Sequence, residues 1–208
     1  TAVDRAGFEA YFRLVPGHVL TVIDEAYRDY VEAPGYPDGM DDLRQGRNVV
    51  LLRTFSKIHG LAGMRIGYAV TVKEVADALD SVRSPFNTSV LAQAAAVAAL
   101  EDEGHIRRSR EENTRESRFL AAEMTRRGMK FVPSVANFFL VFTPLPGEQI
   151  HLTLLREGVI VRPMEPYGFS HAVRVSIGTH DELERFLDAW DRAVVGEAGG
   201  SRRASHTS

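Results

Sequence analysis

A short apolar run opening into a glycine-punctuated loop constrains the fold of this chain more than any other feature. Asn48 to Arg53 reads N-V-V-L-L-R, with the character of a strand buried on both faces. Thr54 to Tyr68 continues as T-F-S-K-I-H-G-L-A-G-M-R-I-G-Y. Lys57 therefore lies where a strand gives way to a loop, the end of a sheet at which α/β proteins bind ligands. A lone lysine in such a place is ordinarily a solvated surface residue. This one stands beside the hydroxyls of Thr54 and Ser56 and has Arg65 eight positions on.

The rest of the first half supplies the sheet. His18 to Ile23 is a β-branched run ending in Asp24, and Met64 to Val70 is another, with Gly67 inside it where a neighbouring backbone is expected to come close. Residues 4–14 place Phe8, Phe12 and Leu14 as a short amphipathic helix. Thr71 to Glu74 matches a capping box ahead of Val75, Leu79 and Val82 at helical spacing. Strands separated by helices predict an α/β fold with a mostly parallel sheet.

Beyond Pro85 the pattern changes. Ser89 to Leu100 reads as an Ala-rich helix, and about Ile106 to Arg127 as a long charged helix ending before Gly128. Charge along such a helix marks a solvated, bridging element. Lys130–Val132, Asn137–Phe142, Val159–Arg162 and Val173–Ile177 read as strands and Gln149–Glu157 as a helix. Thr179 to Glu182 is a second capping box, opening a helix with Leu183, Phe186, Leu187, Trp190 and Val194 on one stripe. The expected division is 1–88 as the α/β part, 89–128 as connecting helices, 129–195 as a small α+β domain and 196–208 as a disordered tail.

Composition excludes several classes. A net charge of −3 gives no basic surface for nucleic acid or anionic membrane, and no apolar run approaches bilayer length. Zero cysteines remove disulfides and thiolate metal or redox chemistry, which fits a cytoplasmic location. No metal site is expected.

Asp24 ends its strand in I-D-E-A-Y, with Tyr27 three residues later. Alone, an aspartate there caps a turn, and G-L-A-G-M-R-I-G is a run of structural glycines. Together with Lys57 these residues meet one chemical need, holding pyridoxal 5'-phosphate. Its aldehyde needs an amine, its ring nitrogen a carboxylate, and its phosphate an arginine fork with hydroxyls. Lys57, Asp24, Arg65, Thr54 and Ser56 fill these roles, and Tyr27 supplies a phenol for the ring's 3-oxygen.

The segments V-I-D-E-A-Y and R-T-F-S-K-I-H-G-L-A-G-M-R-I-G-Y resemble the fold-type I, class I/II aminotransferases. V-R-S-P-F-N-T-S-V-L-A-Q-A-A-A-V-A-A-L, G-V-I-V-R-P-M and V-R-V-S-I-G-T narrow the resemblance to histidinol-phosphate aminotransferases. It implies amino transfer between histidinol phosphate and 2-oxoglutarate, with imidazole-acetol phosphate and glutamate as products, in histidine biosynthesis. By the same resemblance, Lys57 bonds the cofactor and moves the proton, and Arg174 receives the substrate's anionic end with help from Arg162. His59 stands where relatives carry an aromatic and is read as a packing variant. Relatives are homodimers, and they carry a sizeable portion before the region matching Thr1. Residues 1–88 are thus expected to be the remaining part of a cofactor-binding large domain lacking sheet strands, and the 208-residue chain alone is expected to fold poorly. Aromatic or aspartate aminotransferases and lyases such as threonine-phosphate decarboxylase share the cofactor residues. An inactive fragment of the fold is the further alternative for the chain as it stands.

Overall fold

The computed structural model describes residues 3–201, with side chains up to Ala193. It separates into two compact units, one running to Arg110 and the other starting at Glu111.

In the first unit, β1 (Thr21–Asp24), β2 (Val49–Thr54) and β3 (Gly67–Val70) form one sheet in that order. β1 and β2 pair in parallel, with Asp24 in register with Leu52. The connection between them carries a 3₁₀ turn (Arg28–Tyr30) and the short helix α2 (Gly39–Arg44); parallel strands require such a crossover. Mostly parallel pairing was the expectation, and it holds for β1–β2 alone. β3 runs antiparallel to β2, because the intervening loop contains only a 3₁₀ turn (Ala62–Met64) and no helix to carry the chain across.

Three expected boundaries move for local reasons. The Val19 amide is turned back onto the Pro16 carbonyl, so β1 starts later than His18. Arg65 takes a left-handed conformation (φ 52°), which delays β3 to Gly67. The Thr71 capping box does not form: the Thr71 hydroxyl donates to the Val49 carbonyl (2.8 Å), and α3 (Lys73–Val82) starts after Val72 without a side-chain cap. α1 (Arg5–Leu14) is capped by Asp4, which accepts from the Gly7 amide at 2.8 Å. Arg47 joins α1 to α2, donating at 2.6 Å to both Glu9 and the fully buried Asp42. α4 (Val90–Glu101) has the Ser89 hydroxyl as its cap, and α5 (Glu103–Arg126) comes directly after it.

The second unit holds an antiparallel sheet in the order β4 (Lys130–Val132), β5 (Phe138–Phe142), β7 (Phe169–Ser176), β6 (Arg162–Met164). Phe139 faces Val175 and Val141 faces Val173 across β5 and β7. All four are buried with Leu120 and Met124 of α5, Ile150 and Leu154 of α6 (Gly147–Arg156), and Leu183, Phe186, Leu187 and Trp190 of α7 (His180–Ser201). The strand expected from Val159 starts only at Arg162, because the Val159 amide closes the end of α6, donating to the Leu154 carbonyl. Of the second capping box, the Glu182 carboxylate accepts the Thr179 amide at 2.8 Å and also the Thr179 hydroxyl at 3.1 Å. α7 continues to Ser201, so residues 196–201 are helical where composition pointed to disorder. The Val194 side chain and residues 202–208 lie outside the described set. No helix among the described residues is long and apolar enough to cross a membrane.

Glu116 of α5 is buried between Arg115 (2.8 Å) and His180 Nδ1 (3.0 Å). Burial alone would push its carboxyl pKa up, but the bonds from His180 and Arg115 outweigh burial and hold it below 4.5. The hydrogen bond to Glu116 raises His180 above its ordinary 6.5. A raised histidine adds stability in full below its unfolded pKa and loses it as pH rises through the folded value, and a depressed carboxyl does the reverse on the acid side. The Glu116–His180 pair therefore contributes its stabilisation in full between about pH 4.5 and 6.5. In His180→Gln the fall in melting temperature from about pH 6 to 8 should flatten, as calorimetry across that range would read.

The two units differ in burial. The large buried cluster belongs entirely to the second unit, whereas in the first sheet Val22, Leu52 and Tyr68 are exposed. Local opening tracks buried contact, so amide hydrogen exchange should be slower in β5, β7 and α7 up to Ala193 than in β1 and β3.

Candidate active site

The ends of β1 and β2 set the site. Neighbouring residues of a strand point to opposite faces, and at the end of β1 this sends Asp24 outward and Glu25, the next residue, inward. Asp24 is exposed, and its Oδ1 accepts the Ala26 amide at 3.0 Å, turning the chain toward Tyr27. Glu25 is buried, its Oε1 accepting the Gly39 amide (2.9 Å) and its Oε2 accepting Arg53 Nε (2.8 Å). The Gly39 position admits no side chain, since a Cβ there would lie 2.4 Å from Leu51 Cδ2 and 2.9 Å from Glu25 Oε1.

β2 ends in the same way. Arg53 reaches inward to Glu25, while the next residue, Thr54, accepts the Ser56 amide on its hydroxyl at 3.1 Å. The loop then closes in two nested turns, Gly60 N–H to the Lys57 carbonyl and Leu61 N–H to the Phe55 carbonyl, each 2.9 Å. Phe55 and Ile58 are buried and anchor it. Lys57 lies between them and carries its Nζ over the Tyr27 ring, 5.2 Å from the centroid. His59 packs its ring on Phe55 at 4.9 Å.

Arg65 completes the group. Its guanidinium donates to the Ala62 carbonyl (2.9 Å) and reaches the Ser56 hydroxyl at 3.5 Å. Its left-handed backbone is costly for any residue with a Cβ, and strain of this kind gathers at functional sites. Gly67 then lets β3 return against β2, as a Cβ there would lie 2.6 Å from the Arg53 carbonyl oxygen. Thr54, Ser56 and Arg65 thus form one cluster and Lys57 with Tyr27 another on the same loop system, with Asp24 at the adjoining strand end. A guanidinium and hydroxyls are the donor set a phosphate takes, and an amine, a phenol and an exposed carboxylate match the remaining groups of pyridoxal phosphate.

Arg162 and Arg174 belong to the second unit, where they are register partners on β6 and β7. Arg162 donates to the Tyr167 hydroxyl at 2.8 Å. Arg174 lies over the Phe138 ring at 5.2 Å, with its Nε buried and without a hydrogen-bond acceptor among the described residues.

Glu25, Arg53 and Gly39 are not marked as site residues by any motif in the sequence. Their only trace is the second acid of the D-E pair and the arginine ahead of Thr54, whose pairing spans 28 residues.

The fold and these residues define a class of protein. The family described as Aminotransferase class I and II matches residues 1–189, and the chain belongs to that family. The chain is 46% identical over 190 residues to the histidinol-phosphate aminotransferase of Moorella thermoacetica, covering 91% of this chain and 49% of that protein. It is 49% identical over 181 residues to that of Anaeromyxobacter sp., covering 86% and 50%. A crystal structure of histidinol-phosphate aminotransferase from Sinorhizobium meliloti in complex with pyridoxal-5'-phosphate superimposes with a TM-score of 0.81 at 25% identity, over 94% of this chain and 54% of that one. The chain spans about half the length of the curated relatives it matches.

Gly67→Ala should destabilise the first unit by about 1–3 kcal/mol, because the new methyl meets backbone that cannot swing aside. A lowered urea midpoint for the exchange protection of β2 would register it.

Proposed function

We propose that this chain is the cofactor- and substrate-anion-binding part of a histidinol-phosphate aminotransferase. The observation that carries the reading is the loop system joining Lys57 to Tyr27 and Ser56 to Arg65, in a chain 46% identical to a relative of that name. When bound, pyridoxal phosphate supplies an aldehyde for an amine to bond and a ring that withdraws electrons from the substrate's α-carbon. Lys57 provides that amine and afterwards, as base and then acid, moves the proton taken from the α-carbon. Asp24 keeps a proton on the ring nitrogen, and Tyr27 orients the 3-oxygen. Thr54, Ser56 and Arg65 hold the phosphate.

Arg174 receives the anionic end of the substrate, the phosphate of histidinol phosphate or the carboxylate of glutamate, since a guanidinium fork suits both. Its buried, unpaired Nε supports this role, and Arg162 beside it adds a second positive charge. The whole protein is a cytoplasmic homodimer in this reading. The apolar side chains left exposed around α3 and α4, Val82, Phe86, Val90 and Leu91 among them, support a covering subunit.

The chain has three lysines, Lys57, Lys73 and Lys130, which makes the reading directly testable. With added pyridoxal phosphate, the wild-type chain should develop an absorbance band at ~400–430 nm, the range of a lysine bonded to the aldehyde carbon. Lys57→Ala should lack it. Borohydride reduction and peptide mapping should find the label on Lys57. A band that survives in Lys57→Ala overturns the assignment, and a wild-type chain with no band is instead an inert piece of the fold.

A further inference from the structure

We infer that His105 is a positioning residue for Lys57, an inference that rests on Lys57 being the amine that bonds the cofactor. The loop's own turns use the carbonyls of Phe55, Lys57 and Leu61. The carbonyl of Ile58, the residue after Lys57, is met from outside, by His105 Nε2 on the first turn of α5 at 2.9 Å. Ile58 is only 3% exposed, so this carbonyl has little access to water, and a buried acceptor needs a partner. The imidazole therefore carries its proton on Nε2 and donates it to the Ile58 oxygen.

His105 is itself held in place. Its amide donates to Asp102 Oδ1 at 2.8 Å, fixing the helix start that carries it, and the Ser109 hydroxyl oxygen, 3.4 Å from Nε2, is a weaker second acceptor for the same proton. Further along the same helix, Arg110 Nε donates to the Asp29 carbonyl at 2.7 Å, two residues after Tyr27. One helix thus grips both loops whose side chains, Lys57 and Tyr27, meet over the phenol ring. The consequence for Lys57 is geometric. The Gly60 amide fixes the Lys57 carbonyl and His105 fixes the peptide plane after it, so two successive planes on the C-terminal side of Lys57 are held, while the Leu61 amide holds the Phe55 carbonyl upstream. A four-carbon stem with a freely rotating ammonium has no preorganisation of its own; only a fixed base keeps Nζ at the ring.

The test compares wild type with His105→Leu, which fills the space without a donor, and His105→Gln, which restores an N–H of similar reach. Each is incubated with subsaturating pyridoxal phosphate, reduced with borohydride and mapped. His105→Leu should lower labelling of Lys57 about five-fold, the effect of one net hydrogen bond, while labelling of Lys73 and Lys130 stays unchanged. His105→Gln should recover most of the loss, and amide exchange at residues 58–61 should rise in the leucine variant alone. Equal labelling of Lys57 in wild type and His105→Leu, or a glutamine variant no better than leucine, overturns the inference while leaving the role of Lys57 intact. A wild-type chain labelled at Lys73 or Lys130 but never at Lys57 overturns the underlying reading, and the inference falls with it.

Discussion

The geometry of the candidate site depends on one buried carboxylate. Glu25 is 8% exposed, and taking its charge out of water is unfavourable unless both oxygens find strong donors. They do: Arg53 takes one oxygen through both Nε and a terminal nitrogen at 2.8 Å, and the Gly39 amide takes the other. Burial works to lower the Arg53 pKa, but the bonds and charges of Glu25 and Tyr68 together outweigh it and raise it above its ordinary value. This single cluster joins the end of β1, the end of β2 and the start of α2. Because strand residues alternate in direction, each inward anchor has an outward neighbour, Asp24 beside Glu25 and Thr54 beside Arg53. The anchoring pair and the candidate site pair are the same two dipeptides.

The segment after Thr54 extends that rigidity into a loop. Two nested backbone turns and two buried side chains leave Lys57 little backbone freedom. The left-handed Arg65 is the unfavourable step, tolerated because its guanidinium is tied to the Ala62 carbonyl and because Gly67 allows the chain to fold back against β2 at once. Lys57 and Arg65, eight residues apart in sequence, are thereby fixed on one closed unit rather than on two independent segments.

Much of this was legible in the sequence because it is local. Apolar runs marked β1, β2, β5 and β7 to within a few residues, Ser89 marked the start of α4, and Gly67 marked the close approach of two strands. The misses are non-local or depend on competition. Thr71 fits a capping motif, but its hydroxyl finds the Val49 carbonyl first, which only the folded sheet offers. Val159 belongs to a β-branched run, but its amide is already committed to closing α6. Charged residues on α5 read as solvated, whereas His105 and Arg110 spend their donors on loop carbonyls 47 and 81 residues away in sequence. No periodicity encodes such a bond.

Arg162 and Arg174 show how an unfavourable arrangement can carry meaning. Like charges directly opposite each other on paired strands repel, and these two are register partners. Arg162 is eased by the Tyr167 hydroxyl. Arg174 is eased only in part: the Phe138 ring attracts its charge, but a ring face accepts no strong hydrogen bond, and the buried Nε–H is left unpaired. An unsatisfied buried donor costs about 1–3 kcal/mol, more when it belongs to a charged group. A bidentate anion would supply the missing acceptor and cancel the repulsion in one step. The repulsion and the unpaired Nε–H are therefore the two unfavourable terms that a bound carboxylate or phosphate would relieve at once.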